Sequence, residues 1–294
     1  MEDSFAQRAT LFLRRLLWNV KFPPGNYYSP IPSNKDINSR RTEIFSDRQD
    51  LPGIDIRESE QLELVAELAH LYQEFPYLST PTQALRYNPN NAFFGAGDGV
   101  VLYSMLRHLR PSKVIEVGSG YSSALMLDVS DRFLEGKTHF TFIDPHPERL
   151  DKLLTNEDRG RHRVVRRRIQ DMRPDEGSFP DLGAGDILFI DSSHVSKVGS
   201  DVNFLMLEVM PQLAHGVVVH VHDIFCSFEY PREWIDKGRA WNEIYLLRAL
   251  LTNNVQYEIL LFNSFLDRFH RREVEQAMPL WGQNPGSSIW LVRK

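Results

Sequence analysis

Apolar positions along the chain follow two alternating rhythms. Short aliphatic and β-branched runs at 114–117, 138–143, 186–194, 216–221, 257–262 and 288–292 read as strands. Within 186–194, four consecutive apolar residues mark a parallel strand covered on both faces. Between these runs, helical spacing appears at 100–109, from Tyr121 onward, at 201–210 before Pro211, and around 241–251. Strand–helix alternation of this kind predicts an α/β fold. The organising stretch is 113–127, KVIEVGSGYSSALML. A strand breaks at Gly118-Ser119-Gly120 and a helix opens at Tyr121, the arrangement that cradles a nucleotide at the start of an α/β domain. Glycine suits the break because the chain must turn sharply and let a ligand lie against bare backbone.

The amino-terminal third has a different texture. Phe5, Ala9, Phe12, Leu16 and Val20 recur at helical spacing over 4–21, with Arg8, Arg14 and Arg15 between them. A helix lying on a membrane surface would look like this. Glu2 and Asp3 at its start favour an ordinary helix packed on the protein itself or on a second copy, which makes self-association a reading to test. Residues 22–53 are rich in Pro, Gly, Asn and Ser and read as an ordered arm packed through Tyr27 and Tyr28. A helix returns at 59–75 with Leu62, Val65, Leu68, Ala69 and Tyr72 on one face, Asp55 and Glu58 at capping-box spacing, and Pro76 as its stop. Residues 1–85 are thus expected to form a mostly helical amino-terminal cap, and 86–294 the α/β domain.

Composition narrows the partners. The chain is 42% hydrophobic and 25% charged with a formal charge of −5, so no global positive field recruits nucleic acid. The arginine run at 161–168, RHRVVRRR, reads instead as an edge strand with Val164, Val165 and Ile169 inward and charges that discourage edge pairing. One cysteine, Cys226, excludes an intrachain disulfide and suits a reducing compartment. No apolar run reaches the roughly 18 residues of a membrane span, and the start of the chain lacks a signal-peptide pattern. A cytoplasmic location is the expectation.

Candidate chemistry collects where strands end. Glu116 closes the first strand before the glycines, and Asp144-Pro145 close the second. Asp144 stands near the interval at which a carboxylate accepts both hydroxyls of a ribose. It could also cap a helix opening at Pro147. Gln170 and Asp171 follow the third strand, Asp191 and His194 the fourth, and His222 and Asp223 the fifth. The loop at 86–99 would pass the same rim, with Asn91, Phe93 and Phe94 as pocket walls or merely as loop packing.

This set resembles the class I S-adenosylmethionine-dependent methyltransferases. DILFIDSSHVSKVGSDVNFL and GVVVHVHDIF are similar to a bacterial branch of sugar and natural-product O-methyltransferases, the methyltransferase family 24 type; YSPIPS and LPGIDIRESEQLEL are similar to its amino-terminal extension. The resemblance implies a Rossmann-like, doubly wound sheet of seven strands in the order 3-2-1-4-5-7-6, the last antiparallel. It implies that Glu116 and Gly118, Ser119, Gly120 and Tyr121 hold the methionine part of the cofactor. Asp144 and Pro145 would meet the ribose and Gln170 and Asp171 the adenine, with Asp191 a further cofactor-binding residue. Metal-dependent relatives place acids after strands four and five. Asp191 and Asp223 match them, but His222 replaces one acid, leaving a divalent ion (Mn, Fe, Zn or Mg) open. Without an ion, His194 is the natural general base, with Asp191 beside it. His194 could equally be a cap or a supporting hydrogen-bond partner, His222 a backbone-bonded neutral ring, and His220 core. The implied acceptor is a small hydroxylated molecule such as a sugar. Alternatives are an NAD(P)-dependent oxidoreductase, a metal-dependent hydrolase using Asp191, His194, His222 and Asp223, or a cofactor binder without catalysis. Ser123 at the third glycine position and a terminal strand pair weigh against the oxidoreductase.

Overall fold

Seven strands form one mixed sheet in the order β3-β2-β1-β4-β5-β7-β6. They are β1 (Lys113–Val117), β2 (His139–Ile143), β3 (Arg163–Val165), β4 (Ile187–Ile190), β5 (Val218–His222), β6 (Tyr257–Phe262) and β7 (Ser288–Arg293). The computed structural model describes residues 21–78, 85–173, 175–176 and 178–294. β1 to β5 run parallel, and β7 inserts antiparallel between β5 and β6. That is the arrangement expected from the resemblance, and it departs from the six-strand order of a dinucleotide domain. Every residue of β4 is buried, as its unbroken apolar run requires. β3 lies at the sheet edge with Val165 buried and Val164 half-buried, so its arginines face outward as an edge demands.

Contacts divide the chain into two compact units, 1–47 with 231–240, and 48–230 with 241–294. The second holds the whole sheet and four principal helices: α1 (Glu58–Tyr72), α2 (Ala96–Leu109), α3 (Tyr121–Phe133) and α4 (Glu243–Leu251). Helix α1, read from the sequence as part of the extension, packs on α2 and β6 inside this unit. Its start differs from a capping box. Asp55 accepts from the Arg57 amide at 3.0 Å, and Arg57 itself sits in the left-handed region as a cap without a side-chain bond. The short Asp side chain closes a local turn before it can reach the helix. Helix α2 begins four residues ahead of its apolar run, because Asp98 in its first turn is buried and accepts from the Ser287 amide at 3.1 Å.

In the first unit, Ser33 caps a short helix at Asn34–Ser39, accepting from the Asp36 amide, and Arg232 donates to Asn38 at 3.0 Å. Tyr27 and Tyr28 pack edge-on against each other but are exposed, so the arm is not buried through them as expected. Apart from Lys21, the amphipathic segment at 4–21 lies outside the described residues. Among those described, no helix is long and apolar enough to cross a membrane.

Candidate active site

The sheet's parallel strands end at one level, and several of the side chains singled out from the sequence stand at or just past those ends. Glu116 stands in register with Phe142 of β2 and Phe189 of β4. Past it the chain turns at Gly118, φ +84°, where a Cβ would lie 1.9 Å from the Asp191 carbonyl oxygen. Two backbone bonds lock this approach: Gly118 donates to Ile143 at 3.0 Å, and Asp191 donates to Val117 at 2.9 Å. Glycine is therefore required by neighbouring backbone as well as by any ligand.

Glu116 is fully buried and accepts from the hydroxyls of Ser122 and Ser123 in the first turn of α3. Ser123 also accepts from the Gly120 amide at 2.9 Å, which explains a serine where a dinucleotide turn has its third glycine. Burial pushes the Glu116 carboxyl up to about 8; the two serines oppose this, while Asp191 and Asp144 add to it. Asp144 accepts from the Ser119 amide at 3.0 Å, the Ser119 hydroxyl at 2.8 Å and the His146 amide at 2.7 Å. It braces the glycine turn; the next helix, Glu148–Asp151, is capped at Pro147 with no bond from Asp144. Pro145 beside it is exposed.

An open cleft of roughly 490 Å³ is lined by Ser119, Tyr121, Asp144 and Arg149. Phe93 stacks beside Tyr121 with centroids 6.3 Å apart, and the Arg149 guanidinium lies 3.8 Å from the Phe93 ring centre. The three pocket-wall candidates thus separate. Phe93 is exposed beside the cleft, whereas Phe94 is buried against His222 and Phe189. Asn91 builds the loop, donating to the Asn88 and Phe94 carbonyls and accepting from the Phe93 and Phe94 amides. Gln170 and Asp171 form a single turn after β3, but the Asp171 carboxylate is held by Arg168 at 2.7 and 2.9 Å.

A cluster of charged groups follows β4 and β5. His194 adopts a left-handed backbone, φ 58°, held because its carbonyl accepts from the Asn242 and Glu243 amides. Its Nδ1 lies 2.8 Å from Glu243 Oε2, while Nε2 lies 3.4 Å from Asp191 Oδ1 and 3.5 Å from Asp223 Oδ2. Burial alone would lower this imidazole, but Asp191 and Glu243 outweigh it and hold it well above the ordinary histidine value. The Asp191 carboxyl is correspondingly held down by His222 and His194 against the effect of burial.

Glu243 is missing from the residues expected from the sequence. An acid in a helix's first turn reads as a dipole partner. The available signal was its phase, since Glu243 shares the buried face of α4 with Leu247 and Leu251. Asp98 was also missed; burial brings its carboxyl up to about 6. His220 stacks on Phe189 at 3.8 Å and has no hydrogen-bond partner, a core role as anticipated. The buried Nδ1 of His222 likewise has no hydrogen-bond partner.

Asp191, His222 and Asp223 lie at the same rim, His222 being the chief group holding the Asp191 carboxyl down. His222 Nε2 lies 3.8 Å from Asp223 Oδ1, and it is His194 that faces both carboxylates. Among the described residues, no group of three or more His, Cys, Asp or Glu is arranged to hold a metal ion.

Comparison with known proteins points the same way as the strand order. Residues 115–224 match a family model described as a methyltransferase domain, Methyltransf_24. An uncharacterized protein of Archaeoglobus fulgidus is 36% identical over 130 residues, 43% of this chain, and the match spans 59% of that relative's length. The chain is similar to the solved O-methyltransferase TomG from Streptomyces achromogenes, involved in tomaymycin synthesis, in complex with SAM. That likeness has 13% identity and a TM-score of 0.43, over 88% of this chain and 96% of that one. An O-methyltransferase from Bacillus cereus in complex with SAH gives 13% identity and 0.41, over 88% and 97%. At such identities and TM-scores no residue role transfers. The family match is thus confined to residues 115–224, the stretch that runs from β1 and the glycine turn to just past β5, and it is a match to a methyltransferase domain.

Proposed function

We propose that this methyltransferase domain carries the methyl group of S-adenosylmethionine to a hydroxyl oxygen of a small acceptor such as a sugar, with His194 taking the hydroxyl proton. The observation that carries the reading is the convergence of Asp191, His194 and Asp223 beside the Gly118 turn. Methyl transfer is an in-line displacement: the carbon–sulfur bond breaks, its electron pair stays on sulfur, and a carbon–oxygen bond forms. The acceptor's proton must leave, and an alcohol needs a positioned base or a metal to release it. In the free protein Asp191 and Glu243 favour the protonated form of His194. A sulfonium seated near Asp191 competes for that negative charge and drives the imidazole toward its neutral, accepting form.

In this reading Glu116 and residues 118–121 hold the methionine part, Asp144 the ribose diol and Gln170 the adenine edge, with Phe93 over the mouth of the cleft. Asp144→Ala is expected to weaken S-adenosylmethionine binding by about 100-fold, because it removes the ribose acceptor and releases the Ser119 turn. Calorimetry with S-adenosylmethionine and S-adenosylhomocysteine measures this. Failure of the unaltered protein to bind either compound rejects the reading, and tight binding of NADH would favour the oxidoreductase.

Glu116 gives a pH signature. With its carboxyl raised to about 8, it is protonated in the free protein at neutral pH. A bound cation favours the carboxylate, so binding releases a proton. The association constant should rise by up to about tenfold per pH unit below pH 8 and flatten above it. The same shift makes the free fold lose stability as pH rises from the unfolded carboxyl value toward 8, since the native state binds the extra proton. Glu116→Gln should level the binding curve; an affinity already flat between pH 6 and 8 in the unaltered protein counts against this role.

A further inference from the structure

The ring of His194 is bounded on every polar side by acid. Glu243, wholly buried, takes Nδ1 at 2.8 Å, and its other oxygen accepts from the Ser192 hydroxyl at 3.2 Å. Nε2 is turned between Asp191 and Asp223, which come from the ends of two adjacent strands. Trp241 covers the ring with centroids 4.4 Å apart, and two backbone bonds hold the residue's carbonyl to the start of α4. The second oxygen of Asp223 accepts from the Ser287 hydroxyl at 2.9 Å. The ring is thus fixed in direction, with Nε2 facing both carboxylates.

We infer that the His194 imidazole, anchored by Glu243, takes the place between Asp191 and Asp223 that a divalent ion would need, so that the site works without a metal. Two carboxylates brought to one rim are mutually repulsive and must share a positive or hydrogen-donating partner. An ion could serve, at roughly 2.0–2.6 Å from carboxylate oxygen, and so can an imidazole held from its far nitrogen. The side chain that fills the place is also the one able to receive the acceptor's proton, so a single group does by proton transfer what a metal would do by lowering the alcohol's pKa. This consequence for catalysis rests on the proposed methyl transfer; the bridging of the carboxylates does not.

The test reads ion binding alone. Mn²⁺ is titrated into the full chain, and the free ion is followed by electron paramagnetic resonance. The unaltered protein should take up no stoichiometric Mn²⁺, whereas His194→Ala should bind one ion about 100-fold more tightly, because Asp191 and Asp223 lose their shared partner. His194→Asn is a second variant in case the alanine protein misfolds, which circular dichroism reports, and it should behave likewise. Stoichiometric binding by the unaltered protein that is lost in Asp223→Asn overturns the inference. So does the absence of binding in both folded His194 variants, since the place would then not be one an ion can take. Failure of the protein to bind S-adenosylmethionine would reject the methyltransferase reading and leave this result standing.

Discussion

His194→Ala is expected to lower turnover by about 10²–10⁴-fold, the usual span for a lost general base, while S-adenosylmethionine still binds. Retained binding matters because it separates loss of the base from loss of the fold. The same assay carries a pH test. Asp191 and Glu243 hold the His194 imidazole above its ordinary value near 6.5 against the effect of burial, and so favour the protonated ring. The rising limb of kcat/KM, which reports the free protein, should therefore lie above that value. In Glu243→Gln, which removes one of the raising charges, the limb should move to lower pH. A raised histidine also stabilises the native state most at low pH, and that contribution is lost as pH climbs through the folded value. Full turnover in His194→Ala, or a rising limb at or below 6.5, would remove His194 from the chemistry.

Gly118→Ala should cost about 2–5 kcal/mol and abolish cofactor binding. Two effects add. The residue sits at φ +84°, and its new Cβ would press 1.9 Å from the Asp191 carbonyl. Neither strand can yield without breaking the Gly118–Ile143 and Asp191–Val117 bonds. Any relaxation also moves Asp191, so damage should appear in binding as well as in stability. Gly160→Ala is the control, since nothing lies within 4 Å of the site and its φ is ordinary. Thermal melts and calorimetry on the two variants read the difference; equal behaviour would falsify the claim that this crossing is tight.

Much of the rim was legible because strand ends announce themselves. Apolar runs stop where the chain leaves the sheet, and polar residues at those stops share one edge when the strands are parallel. Glu116, Asp144, Asp191 and Asp223 were located this way, and the strand order places them on adjacent or near strands. Loops gave less. Phe93 and Phe94 are neighbours in sequence, yet one is exposed beside Tyr121 and the other is core. Asp171 looked like an adenine partner, but Arg168, three residues back, claims its carboxylate.

Local pattern therefore determined the α/β alternation, the glycine turn and the list of strand-end acids, because periodicity and backbone sterics act over a few residues. Tertiary structure alone decided which of those acids are satisfied and by what. Glu243 reaches His194 across 49 positions of chain, and His194 stands with Nε2 between Asp191 and Asp223. The strength of a buried charge depends on its desolvation and on neighbours brought from elsewhere in the fold, and nothing in a linear pattern records either.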